Sequence, residues 1–176
     1  MNFIFIVDSD AYLRGAVNIS ESLAPYINSK IFSTKKLLVN KNIPFFDIEN
    51  HELCKNVFNS DALFLGMGGK KLNKLIKKSR EFSSNSKIVG YFPGIIHFNI
   101  LESLVTRLLC DVVLLNSRSD YELYQKVSEK LLGFNNGLLF GAPWVNKIEK
   151  LDKVIRKNIP SGRNVAIIGR NGAGKS

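Results

Sequence analysis

Short apolar runs alternate along the chain with longer amphipathic stretches, and this alternation predicts the elements. Residues 3–7, F-I-F-I-V, form a near-continuous apolar run, the pattern of a strand buried on both faces. A helix is predicted over 11–23, before Pro25, and a second strand over 36–39, with Pro44 breaking the segment after it. A short helix over 49–58 and a third strand over 62–65 come next, the strand ending in Gly66, Met67, Gly68 and Gly69. Leu72, Leu75 and Ile76 recur at helical spacing and predict an amphipathic helix over 70–80. A fourth strand spans 87–92, closed by Pro93 and Gly94, and a helix spans 98–109. A fifth strand over 112–115, a helix over 121–131 and a short sixth strand over 138–140 complete the series before Gly141, Ala142 and Pro143. Strands separated by helix-length segments predict an α/β fold, a Rossmann-like parallel sheet with helices on both faces. Residues 146–157, charged and lightly apolar, read as a linking helix, and the apolar run 165–168 as one further strand.

The sharpest motif sits directly after that last run. Residues 169–176 read G-R-N-G-A-G-K-S, a full match to the phosphate-cradling loop G-x-x-x-x-G-K-[ST]. The backbone of Gly169, Arg170, Asn171, Gly172, Ala173 and Gly174 would turn N–H groups toward phosphate oxygens. Lys175 would place a charge at the β/γ-phosphates, and the Ser176 hydroxyl would hold Mg²⁺. Such a loop works at the start of a helix and with an acidic metal ligand from a later strand, and both would have to come after Ser176. The expected organisation is therefore a domain over 1–144, a linker over 145–163 and a truncated P-loop segment over 164–176. ATP and Mg²⁺ are its cofactors only once the site is completed.

Composition narrows the class. With 45% hydrophobic residues and 12 Phe in 176 residues, the chain has enough apolar mass for a packed core. No apolar run is long enough to span a bilayer, and the first residues, M-N-F-I-F-I-V-D, lack the basic start and cleavage site of a signal peptide. The expected location is cytoplasmic, or peripheral at the inner membrane. Cys54 and Cys110, each among apolar neighbours, read as buried free thiols in preference to a disulfide. His51 and His97 stand alone, without metal-ligand spacing.

The formal net charge is +10, and six cations fall within 70–80. A second basic stretch lies within 147–163. These are either solvated faces that confer solubility or a surface drawn to an anionic inner leaflet. No nucleic-acid partner is expected, because no aromatic residues interleave the basic helix.

In parallel sheets of this type, ligands gather at the carboxyl ends of strands near a reversal of strand order. Four predicted loops qualify. Asp8, Ser9 and Asp10 either cap the first helix or set a carboxylate against a sugar hydroxyl or as a general base. Gly66, Gly68 and Gly69 lack the G-x-G-x-x-G spacing of a dinucleotide site and fit a tight turn or a close backbone approach to a ligand. Pro93 and Gly94 form a turn that could line the cleft. Ser117, in S-R-S-D, fits a variant capping box better than a ligand contact.

Two stretches carry family resemblances. The segment 110–125, C-D-V-V-L-L-N-S-R-S-D-Y-E-L-Y-Q, with G-Y-F-P-G upstream at 90–94 and G-A-P-W downstream at 141–144, resembles the N-terminal domain of GT-B-type glycosyltransferases. The start, I-F-I-V-D-S-D-A-Y-L, resembles bacterial transferases associated with surface polysaccharides. The resemblance implies a half that receives a glycan or lipid-linked acceptor, a nucleotide-sugar donor held mainly by a second domain, and Asp8 or Asp10 as the base for inverting transfer. Residues 158–176, N-I-P-S-G-R-N-V-A-I-I-G-R-N-G-A-G-K-S, are similar to the first catalytic strand and phosphate loop of ABC transporter ATPases that export capsular polysaccharide. That likeness implies ATP binding at 169–176 and an exporter membrane subunit as partner. The signature sequence, the acidic metal ligand and the catalytic base of those ATPases have no counterpart in the sequence. Three functions stay open: a transferase half in surface or capsular polysaccharide biogenesis, an ATP-driven export subunit, and a non-catalytic Rossmann-like binding module.

Overall fold

The computed structural model describes residues 1–37, 42–83, 85–92 and 101–141. The linker and P-loop assignments, Pro93 and Gly94, and the basic stretch beyond Lys147 lie outside the described residues.

Within the described residues the elements run β1 (Asn2–Val7), α1 (Asp10–Leu23), β2 (Asn28–Ser33), α2 (His51–Phe58), β3 (Ala62–Gly66) and α3 (Gly69–Phe82). They continue with β4 (Lys87–Tyr91), α4 (Leu101–Arg107), β5 (Val112–Leu115), α5 (Arg118–Leu132) and β6 (Gly137–Leu139). The six strands form one sheet in the order β2-β1-β3-β4-β5-β6, every pair parallel. The register Phe3↔Ala62 to Val7↔Gly66 places β1 beside a strand nearly sixty residues away.

The strand order dictates where the helices lie. Crossovers in parallel sheets are right-handed, so the step from β1 to β2 puts α1 on one face. Every later step runs the other way across the sheet and puts α2 to α5 on the opposite face. The core divides accordingly. Phe5 and Val7 of β1 pack with Leu13, Ala16 and Ile19 of α1. Ile4 and Ile6 face the other side, with Phe58 of α2, Leu72 and Ile76 of α3, and Tyr124 of α5. The alternation along β1 is thus apolar on both faces, as a central strand requires.

The second strand corrects the sequence expectation. It lies at Asn28–Ser33, whereas Lys36 and Leu37 are irregular and 38–41 fall outside the described residues. Asn28–Ser33 reads N-S-K-I-F-S because it is a sheet edge, with β1 as its one strand partner among the described residues. Asn28 and Lys30 stay in water and Lys30 guards the edge, whereas Ser33, bridged by Phe45, is buried. The other edge, β6, is apolar instead, with Leu138 and Leu139 about half exposed. The helix predicted from 121 starts at Arg118. Ser117 is its N-cap, accepting the Asp120 N–H at 3.1 Å, a contact worth about 1 kcal/mol. Asn50 caps α2 in the same way, accepting the Leu53 N–H at 3.0 Å.

Candidate functional site

Strand order reverses between β1 and β3, and the turns that leave these two strands stand side by side. The Asp8 N–H donates to the Gly66 carbonyl at 3.2 Å, joining the two strand ends. On the other flank Thr34 donates its N–H to the Val7 carbonyl at 3.0 Å. A Cβ on Gly66 would lie 2.9 Å from Tyr12 Cβ and 3.0 Å from Val7 Cγ1, so α1 seats over β3 only because residue 66 has no side chain.

Asp8 follows β1 with its side chain 17% exposed, and Lys35 Nζ stands 3.9 Å from Asp8 Oδ2. At that distance and with Lys35 half exposed, the pair is worth no more than about 1 kcal/mol. Ser9 is the N-cap of α1, though its hydroxyl makes no capping bond. Asp10 is the first residue of α1, where its charge complements the helix dipole.

The turn after β3 has the opposite electrical character. Gly68 is the N-cap of α3, and Gly69 has φ +59°, a left-handed conformation that suits glycine. The first turn of α3 holds no acidic residue and carries exposed Lys70 and Lys71. The two turns therefore offer a carboxylate on one side and helix-start amides with lysines on the other. Two acidic residues stand after β1, where dinucleotide-binding sheets carry a glycine-rich phosphate turn.

Three residues in or beside this crevice escaped the sequence reading: Tyr12, Lys35 and Arg107. Arg107, in the last turn of α4, is 1% exposed. Its Nη2 donates to the Tyr12 hydroxyl at 2.6 Å, to the Met67 carbonyl at 2.9 Å and to the Tyr91 carbonyl at 3.3 Å. The guanidinium lies 3.8 Å from the Phe92 ring centroid. Burial pushes the Tyr12 phenol above its ordinary pKa, with the Arg107 charge opposing. One signal was available for Arg107, since it continues the buried spacing of Leu104 and Leu108 on a helix. Tyr12 and Lys35 had none.

Of the sequence candidates, Asp8, Ser9, Gly66, Gly68 and Gly69 lie in the two turns that leave β1 and β3, joined by the Asp8–Gly66 hydrogen bond. Asp10 belongs to the helix start beside them. Ser117 lies just after β5, two strands from β3, or roughly 10 Å across the sheet. Its Oγ serves the α5 cap and contacts Asp120 Oδ2 at 2.8 Å, while neighbouring Asn116 Nδ2 donates to the Phe92 carbonyl at 2.7 Å. Among the described residues no cluster of three or more His, Cys, Asp or Glu could hold a metal ion. Both cysteines are buried free thiols.

The basic helix is partly neutralised. Lys74 Nζ pairs with Glu49 at 2.6 Å and Arg80 with Asp111 at 2.6 Å, and Lys78 lies 5.7 Å from the Phe82 ring centroid. Lys70, Lys71 and Lys77 remain on the exposed surface.

The all-parallel sheet, layered between helices and reversed at β1/β3, defines a Rossmann-like α/β domain. No family model matches the chain, and no curated protein matches it. Among solved structures it is similar to a Rossmann-fold NAD(P)-binding family protein from Shigella flexneri, with a TM-score of 0.44 and 16% identity. The similarity covers 65% of this chain and 66% of that one.

Proposed function

We propose that the chain is a Rossmann-like binding module whose ligand is a phosphorylated sugar derivative of the nucleotide-sugar class, held in the crevice at the carboxyl ends of β1 and β3. The observation that carries this reading is the division of charge across the crevice. Asp8 is suited to accept hydrogen bonds from sugar hydroxyls. The Gly68–Gly69 turn and Lys70 are suited to an anion, since amides at a helix start and lysine charge act together there. The test is an NMR titration of the ¹⁵N-labelled protein with UDP-glucose, UDP, glucose and NAD⁺. Saturable shifts at Asp8 and at Gly66–Lys70 with UDP-glucose, weakened at least tenfold by Asp8→Ala, are the expected result. No shift with any of the four at millimolar concentration overturns the reading.

A second reading, favoured by the resemblance of 110–125, takes this module as the acceptor half of a surface-polysaccharide glycosyltransferase, with Asp8 or Asp10 as the base. Its test is glycan binding that competes with UDP-glucose for the same resonances. The motif at 169–176 supports a separate proposal, ATP and Mg²⁺ binding once residues beyond Ser176 complete the site; the test is made on a chain that carries them. Lys175→Ala would abolish MgATP binding while leaving UDP-glucose binding intact.

A further inference from the structure

The geometry points to Arg107 as the positioning residue of the crevice, the group that fixes the β3–α3 turn in a ligand-ready shape while tying α4 to α1 on the other face of the sheet. This inference rests on the crevice being the binding site, and it deepens that reading. α4 belongs to the four-helix face of the sheet, whereas Tyr12 belongs to α1 on the other face. Arg107 spans the two. Its stem passes over Gly90 of β4, with Cγ 3.6 Å from where a Cβ on that glycine would sit. Its Nη2 then reaches the carboxyl edge of the sheet and meets one acceptor from each of three segments: Met67 after β3, Tyr91 at the end of β4, and Tyr12 in the first turn of α1.

A single buried, charged donor shared by three segments fixes them relative to one another, because any one that moves weakens a hydrogen bond out of contact with water. Met67 immediately precedes Gly68 and Gly69, and glycine is intrinsically the residue freest to reorient. Holding the Met67 carbonyl therefore fixes the direction in which the next amides point. Lysine could supply the charge, but not a planar fork that donates while stacked on Phe92.

The test compares wild type with Arg107→Lys and Tyr12→Phe by ¹⁵N relaxation, without ligand. In wild type the Gly68 and Gly69 amides should have order parameters near those of rigid backbone, about 0.85. In Arg107→Lys they should drop below about 0.6, while the β5 amides Val113–Leu115 stay unchanged. Tyr12→Phe removes one acceptor and should give a smaller drop at the same two glycines. It also keeps the test decisive if Arg107→Lys does not fold. In the same samples, UDP-glucose affinity should fall at least tenfold for Arg107→Lys. Wild-type values already below about 0.6 at Gly68 and Gly69 would overturn the inference, as would unchanged values in both variants or an equal loss across β5. If wild type binds no UDP-glucose, the binding proposal fails alone, because the relaxation comparison needs no ligand.

Discussion

Gly66→Ala puts the seating of α1 to a direct test. The added methyl would stand 2.9 Å from Tyr12 Cβ, 3.0 Å from Tyr12 Cδ1 and 3.0 Å from Val7 Cγ1. Carbon atoms rest at about 3.5–4.0 Å, so each contact must open by roughly 0.5–1 Å. None of these atoms is a flexible tip: Tyr12 Cβ moves only with the backbone of α1, and Val7 is buried in a central strand. Overpacking of this kind costs about 1–3 kcal/mol. Alanine also narrows the unfolded ensemble relative to glycine, which offsets about 0.4–1 kcal/mol. Taking the midpoints of the two ranges, the net destabilisation is about 1.3 kcal/mol, or about 3–5 °C in Tm for a domain of this size. Urea titration followed by circular dichroism measures the loss. The Tyr12 ring resonances report whether α1 has shifted against the Arg107 hydrogen bond. A variant as stable as wild type, with the Tyr12 resonances unmoved, would refute the close seating of α1 on β3.

Four further outcomes rest on the packing and the surface charge. Burial pushes the Cys110 thiol up to about 12, from an ordinary 9.0, and raises Cys54 as well. Neither thiol should react with Ellman's reagent at pH 8 until the protein unfolds, and prompt labelling would contradict their burial. Because the unfolded Cys110 thiol ionises first, its contribution to stability should fall as pH rises from 9 toward 12, a slope that Cys110→Ala removes. Tyr124 donates to Asn136 Oδ1 at 3.0 Å inside the core, so Tyr124→Phe should cost about 1–3 kcal/mol in urea unfolding by leaving a buried acceptor short of a donor; a loss below about 0.5 kcal/mol would discount that bond. If α3 docks on anionic lipid, wild type should co-sediment with anionic vesicles at low salt. Replacing Lys70, Lys71 and Lys77 by Ala should then weaken binding about a hundredfold, near 1 kcal/mol per lysine. Absence of co-sedimentation by wild type removes that partner.

The elements legible in the sequence were those whose burial is two-sided or strongly periodic. β1, β3 and β5 are central strands and read as apolar runs, and α3 announced itself through Leu72, Leu75 and Ile76. β2 was misplaced because half its surface faces water, so Asn28 and Lys30 obey solubility and not the core. The crevice was legible only as turns after strands. Asp8 and Gly66 could be nominated by position, but their meeting depends on the strand order, and no local pattern encodes that order. Arg107 lies 95 residues from the tyrosine it contacts, so its partners are set by topology alone.

The pairing of β1 with β3 also sets a timetable for synthesis. β1 leaves the ribosome ahead of β3, so one of its two flanking strands is not complete until Gly66 has been added. At about 5–20 residues per second, the Phe-Ile-Phe-Ile-Val stretch waits roughly 3–12 s without that neighbour. During this interval the nascent chain displays an uncovered apolar segment, which makes the addition of residues 8–66 a period in which chaperone capture matters. Codon changes that slow elongation between Val7 and Gly66 should therefore lower soluble yield more than the same delay placed after Leu115.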